Sequence, residues 1–270
     1  MTTVQALLLG IIQGITEFLP ISSSGHLVIA QQLFGIKEKA LFFDVMLHLG
    51  TLLAVFVYFR RDIVALIAAV FGRDSDSWPG TAAQGRRVAL WVILGTIPAG
   101  VIGALFNSAI EKTFSSAVFA GGGLLVTAAL LAAADRTRAG ERGAASLGVP
   151  GSLIVGAAQA VAILPGVSRA GATICAAIFL KLDRREAARF SFFLFIPAIL
   201  GAVVLEMKKA LVAGPHHGAI TILGMAAAFI TGMFALNILI RVLTRGRLIW
   251  FSAYCAAAGV FAIALGLIRF

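Results

Sequence analysis

The stretch Gln13-Gly14-Ile15-Thr16-Glu17-Phe18-Leu19-Pro20-Ile21-Ser22-Ser23-Ser24-Gly25-His26 interrupts an apolar run that extends from Val4 to Phe34. A membrane-spanning helix needs about 20 consecutive apolar residues. On either side of the break at Leu19–Gly25 the run leaves pieces of roughly 8–15 residues, which at 1.5 Å per residue reach roughly 12–22 Å and fall short of a 30 Å hydrocarbon core. Residues 4–34 are therefore predicted to form a re-entrant hairpin of two half-helices, with one broken span as the alternative. Residues 151–180 read the same way, broken at Pro165-Gly166-Val167-Ser168-Arg169-Ala170-Gly171.

The two interrupted runs superimpose without gaps at a shift of 146 positions: Gly10 falls on Gly156, Gln13 on Gln159, Ser22 on Ser168 and Gly25 on Gly171. Ser23 falls on Arg169 and His26 on Ala172; a shift of 147 places Phe43 on Phe190, and one of 148 places Arg60-Arg61 on Lys208-Lys209. Matched glycines and polar residues in otherwise apolar sequence indicate an internal duplication.

Working outward, the whole chain has the composition of a lipid-embedded protein: 270 residues, 60% hydrophobic, 13% charged, mean hydropathy +1.00. Soluble domains carry about 25% charged residues, so this chain cannot cover itself with polar surface. Six spans are predicted, at Ala40–Phe59, Val88–Phe106, Ala117–Ala134, Phe190–Leu205, Ala219–Ile240 and Ile249–Ile268, with Ile63–Phe71 too short to cross and lying at the surface. The expected fold class is an all-α polytopic membrane protein of six transmembrane helices plus two re-entrant helical hairpins. Three spans separate the hairpins, so the second repeat enters with inverted topology, an arrangement that directs attention to a site near the bilayer midplane. The expected organisation is a first repeat at 1–134, a linker at 135–150 and a second repeat at 151–270.

The net charge of +10 sits in short loops rather than along a helix, which argues against nucleic-acid binding and for topology determinants. With both hairpins re-entrant, the side holding Arg60, Arg61 and Arg136 carries 15 of the 22 basic residues and the opposite side 6, Arg169 belonging to neither. The positive-inside rule then predicts a cytoplasmic linker and both termini outside. The N-terminal apolar run lacks a basic leader and a small-residue cleavage site, so it is not read as a signal peptide. Cys175 and Cys255 sit within apolar segments and read as buried thiols.

Ionisable residues at membrane depth are costly and serve as functional hypotheses. Gln13 and Glu17, four apart, share a helix face and could hold a metal ion or orient a phosphate; polar helix packing is the plainer alternative. Ser22, Ser23, Ser24 and Gly25 open the second half-helix. One serine suffices as a cap, and free backbone N–H groups at a helix start favour an anion. His26 follows Ser23 by three residues, within expected reach of its hydroxyl. In the second break Ser168, Arg169 and Thr173 repeat the arrangement with a cation, and a guanidinium grips phosphate oxygens in bidentate fashion. Asp44 and His48, four apart on the first span, are candidates for supporting the site or for helix packing alone. Glu206 is expected to reach an interface, and nothing is expected of His216 and His217.

These motifs resemble those of the bacterial undecaprenyl-diphosphate phosphatases, also known as bacitracin-resistance proteins, and the resemblance covers essentially the whole chain. It implies release of inorganic phosphate from undecaprenyl diphosphate in the cytoplasmic membrane, recycling the carrier lipid for peptidoglycan synthesis. It also implies an inverted repeat with two hairpins and dependence on a divalent cation such as Mg²⁺ or Ca²⁺, which suits Glu17. That family's first motif begins with Glu or Gln; this chain has Gln13, which is uncharged. Type 2 phosphatidic-acid phosphatases share Ser24-Gly25-His26 and Ser168-Arg169, but their second histidine would fall at Cys175, so the nucleophile must come from Ser23, His26 or an activated water. A polyprenyl-phosphate flippase is the alternative class; it would need Arg169 but not a hydroxyl, an imidazole and a carboxylate together. The implied partners are a polyprenyl diphosphate and the bilayer, with the oligomeric state left open, a homodimer included.

Overall fold

The computed structural model describes residues 1–36, 41–74, 80–114, 116–138, 140–212 and 218–268. Lys37, Lys39, Ser77, Ala213, His216, His217 and Arg269 lie outside these residues, as do the side chains of Glu206, Lys208 and Lys209. The described residues form eleven α-helices and a short 3₁₀ turn, Ala144–Ser146, with no strand among them. The helices are α1 (Thr3–Phe18), α2 (Ser23–Leu33), α3 (Leu41–Tyr58), α4 (Arg60–Val70), α5 (Ala82–Thr113), α6 (Ala117–Arg136), α7 (Gly148–Val161), α8 (Arg169–Phe179), α9 (Arg184–Val212), α10 (Gly218–Thr244) and α11 (Ile249–Ile268).

Five helices, α5, α6, α9, α10 and α11, contain stretches long and apolar enough to cross a membrane. A sixth crossing is obtained if α3 and α4, bent by 75° at Phe59, count as one span. The outer faces are apolar: on α5 the exposed residues Ile93, Ile97, Val101 and Leu105 recur every four positions, a stripe that water would not tolerate and lipid does. Helices α9 and α5 run through Pro197 and Pro98; prolines are accommodated in membrane helices where neighbours satisfy the freed carbonyl.

Local chemistry fixes the two breaks. A capping box at Thr2 and Gln5 starts α1. The helix stops because Pro20 disfavours helical geometry at the residue before it, and Leu19 is extended at φ −64°, ψ 141°. Helix α2 restarts on Ser22, whose hydroxyl accepts from the Gly25 N–H. In the second break, Gly166 at φ +89° turns the chain so close to α6 that a Cβ would lie 1.9 Å from the Ala120 carbonyl oxygen, and Ser168 caps α8 by accepting from the Gly171 N–H.

Each short helix packs against its partner, α1 on α2 and α7 on α8. Further pairs are α1 with α10, α7 with α5, α3 with α10, α9 with α5, α3 with α9 and α6 with α11. The closest approaches fall at glycines: a Cβ on Gly10 would lie 2.3 Å from the Gly224 carbonyl oxygen, and one on Gly156 2.3 Å from that of Gly95. Gly121 and Gly259 each face the other's carbonyl oxygen, at 2.7 and 2.9 Å from an added Cβ. Between α6 and the second broken pair, the linker is fastened by Arg142, whose N–H donates to the Lys181 carbonyl and whose carbonyl accepts from Asp183.

Candidate active site

The two breaks meet. A Cβ on Gly25 would lie 3.1 Å from Gly166 Cα, and one on Gly171 would lie 3.4 Å from Pro20 Cβ. The start of each second half-helix therefore abuts the turn of the other pair, and residues from α1, α2, α3, α8 and α9 converge there.

Glu17 is the centre of the cluster, 7% exposed. Its carboxylate accepts from the Ser23 hydroxyl across the break and from Gln13 Nε2 at 3.0 Å. Arg169 Nη2 stands 3.8 Å from its other oxygen, and His48 Nε2 stands 3.9 Å from Oε2. The Arg169 guanidinium lies over the Phe195 ring, 5.2 Å from its centroid. Its Nη1 is buried without a hydrogen-bond partner. A small cleft between Glu17, Arg169, Ala170, Ser191, Phe192 and Phe195 opens at this point. A forked cation with an unused donor in a cleft walled by phenylalanine is suited to an incoming anion, since a buried unpaired donor otherwise costs about 1–3 kcal/mol.

The remaining candidates divide. Ser22 and Ser168 act as caps, their hydroxyls turned to Gly25 and Gly171; Ser24 bonds Ser22 at 3.2 Å. The Ser168 N–H donates to Thr127 Oγ1, which itself donates to the Gly166 carbonyl. Thr173 bonds Ser191 and donates to the Arg169 carbonyl, so its hydroxyl braces the arginine's turn. Asp44 accepts from Gln31, away from Glu17. The expected contact between His26 and Ser23 does not form. His26 Nδ1 donates to the Ser22 carbonyl at 2.7 Å, and Nε2 lies 2.7 Å from the Tyr254 hydroxyl, with the two rings stacked at 5.6 Å. With Nδ1 carrying the proton, the neutral ring accepts from Tyr254 at Nε2, so both nitrogens are committed and the Ser23 hydroxyl is bonded to Glu17 instead.

Among the described residues no three His, Cys, Asp or Glu side chains gather to hold a metal. Gln13 Oε1, however, is a buried acceptor without a partner beside the Glu17 carboxylate. A hard cation bound by one or two protein oxygens and completed by substrate phosphates has this donor set, so Gln13 and Glu17 fit a partial shell for Mg²⁺ or Ca²⁺. Ser191 and Phe195 were not anticipated, whereas His48, a candidate for supporting the site, stands beside Glu17 and its fellow candidate Asp44 bonds Gln31 instead. A lone serine within Phe190-Ser191-Phe192-Phe193 was the available signal for the first.

The profile of the family described as bacitracin resistance protein BacA matches residues 6–261. Among curated relatives, a protein of Desulfosudis oleivorans is 42% identical over 99% of this chain and 100% of its own length. One from Korarchaeum cryptofilum is 42% identical over 98% and 100%, and one from Carboxydothermus hydrogenoformans 40% over 96% of both. All three carry the name undecaprenyl-diphosphatase. Matched from end to end, and holding its polar motifs at the junction of two broken helix pairs, the chain belongs to the bacitracin resistance protein family.

Proposed function

We propose that this multi-pass membrane protein is an undecaprenyl-diphosphate phosphatase that uses Ser23 as its nucleophile. The observation that carries the assignment of roles is the Ser23 hydroxyl donating to Glu17 beside the unused Nη1 of Arg169. The name shared by the end-to-end relatives supports the substrate. Glu17 accepts the hydroxyl proton as Ser23 Oγ attacks the terminal phosphorus, since a serine hydroxyl is a weak nucleophile until a base removes its proton. The bond from that phosphorus to the bridging oxygen breaks, and undecaprenyl phosphate leaves with the oxygen. Water then hydrolyses the phosphoserine and releases inorganic phosphate. Arg169 grips the transferring phosphoryl group, and the positive end of α2, opened by Ser23 and Ser24, faces its oxygens. A divalent cation, if bound by Glu17 and Gln13, supplies charge neutralisation. His26, bonded to Tyr254, orients the α2 start rather than acting as base. A flippase would leave the Ser23–Glu17 pair without a purpose.

The same proposal takes each broken pair as a re-entrant hairpin and the halves as an inverted repeat in the cytoplasmic membrane. Its support is the pairing pattern: exchanging α1 with α7, α5 with α10 and α3 with α9 maps the α1–α10 contact onto α7–α5 and the α3–α10 contact onto α9–α5, and exchanging α6 with α11 returns their own contact. It also maps Gly10–Gly224 onto Gly156–Gly95 and Gly25–Gly166 onto Gly171–Pro20. With both termini outside, a cysteine placed at Ser108 is labelled from outside intact cells and one at Gly140 is not; labelling at Gly140 would reverse the orientation.

The deciding experiment is rapid acid quench of the purified protein with substrate labelled in the terminal phosphate, followed by peptide mapping. Phosphoserine at Ser23 is expected, and Ser23→Ala should abolish release. Acid-labile, base-stable label at His26 would move the role to the histidine, and turnover by Ser23→Ala would remove the serine from it.

A further inference from the structure

On the side of the first broken pair that faces α11 lies a groove of about 640 Å³, bounded by α1, α2 and the start of α11. Its walls are aliphatic and aromatic, with Ile11, Ile15, Ile29 and Leu33 on the broken pair and Trp250 and Phe251 on α11. Its polar end is the bonded pair His26–Tyr254, and Ile21 and Thr16 carry the groove to the residues adjoining Ser22 and Glu17. Leu33, at the α2 end of the groove, and Trp250, one turn before Tyr254 on α11, are both strongly exposed, so the groove opens to the surroundings. An apolar trough that reaches the break and opens to lipid has the form required to lead a long chain away from a phosphate.

We infer that this groove receives the first isoprenoid units of the substrate's tail, with His26 and Tyr254 marking where the tail meets the diphosphate. The inference rests on the diphosphatase reading and specifies where that substrate lies. The volume falls within the usual range of about 300–1,000 Å³ for small-ligand sites, so it holds only the proximal part of an undecaprenyl chain and the rest stays in the bilayer. Moving an apolar tail from lipid to an apolar groove gains little hydrophobic free energy, since lipid tails are as apolar as leucine. The groove therefore acts through shape: a chain with regular methyl branches fills a trough of isoleucines, and that contact fixes the direction in which the diphosphate enters.

The test uses the full-length protein in nanodiscs and a polyprenyl methylene-diphosphonate, which cannot be hydrolysed at the bridge, carrying a diazirine in its first isoprenoid units. Crosslinks are expected on 11–33 and 249–254, and unlabelled undecaprenyl diphosphate should compete where phosphatidylglycerol does not. Label confined to other helices, equal competition by phosphatidylglycerol, or crosslinks joining two copies through these residues would overturn the assignment. Because binding is read without turnover, a failure of hydrolysis is seen separately, as no phosphate release from undecaprenyl or isopentenyl diphosphate. In the kinetic arm, Ile11→Trp and Ile15→Trp, at partly exposed positions, should lower the ratio of kcat/KM for the undecaprenyl over the isopentenyl substrate by about tenfold or more, the scale of a blocked apolar subsite. Ile93→Trp on the outer stripe of α5 should leave that ratio unchanged. An unchanged ratio in the groove variants, or an equal fall in the α5 variant, would refute the role.

Discussion

The two broken helix pairs share a frame and differ in what they hold. Ser22 and Ser168 cap their second helices in the same way, onto Gly25 and Gly171. At the remaining matched positions they diverge: Glu17 answers to Ile163, Ser23 to Arg169, His26 to Ala172. The clearest contrast is between the two glutamines. Gln13 bonds the carboxylate that follows it by one turn, whereas Gln159, equally buried, has an isoleucine there and no partner for either polar atom. One pair thus holds the hydroxyl and the carboxylate, the other the cation, and the three side chains meet only where the pairs abut.

That contrast can be broken most severely at Arg169. Arg169→Lys keeps the charge and loses the planar fork; phosphate release should fall about 10²–10³-fold, as on removal of a transition-state donor, while the thermal unfolding midpoint is held. Turnover near normal would take Arg169 out of the phosphate site. Next comes Gly166→Ala, which combines a residue at φ +89° with a Cβ driven into the Ala120 carbonyl. Strain of about 1–3 kcal/mol before any clash should lower the melting midpoint markedly in detergent. Gly35→Ala, at φ +68° with nothing nearby, bears the backbone strain alone and should cost less. A smaller effect separates the glutamines. Gln13→Leu should reduce turnover by about tenfold, the loss of one hydrogen bond to a charged group, and raise the divalent-cation concentration needed for half-maximal rate. Gln159→Leu, the smallest change, should keep full activity and leave stability unchanged or raise it by up to about 1 kcal/mol, because it removes a buried amide with no partner. A large loss on Gln159→Leu would mean that the second frame keeps a use for its amide.

Much of this was legible from residue order alone. Pro20 and Pro165 marked the breaks because the residue before proline resists the helix, and length separated short apolar helices from long ones. The four-residue spacing of Gln13 and Glu17 gave their contact directly. What distance along the chain could not provide was rotation of one helix about another. His26 follows Ser23 by nearly one turn, yet its ring is drawn to Tyr254, 228 positions away. His48 approaches Glu17 only because α3 packs against α1. Ser191 and Phe195 enter through α9, whose apolar sequence reads as an ordinary span. The placement of the Ser22 hydroxyl as a cap rather than a ligand also follows from a backbone torsion, φ 68°, that no motif declares.

The reciprocal glycines of α6 and α11 bear on how the protein is made. Gly121 and Gly259 rest on each other's backbone, and Asp135 at the end of α6 accepts from the Leu248 and Ile249 N–H groups that begin α11. Of these helices, α11 is the last to leave the ribosome. Until it arrives, α6 has a bare backbone face and a carboxylate without its donors, although its own synthesis ended more than a hundred residues earlier. Helix α1, which ends at Phe18, waits longer still for α10, which begins at Gly218. Assembly therefore cannot proceed half by half as translation proceeds: chains cut short before Ile249 should be held as incompletely packed intermediates and cleared by membrane proteases, however intact their first half.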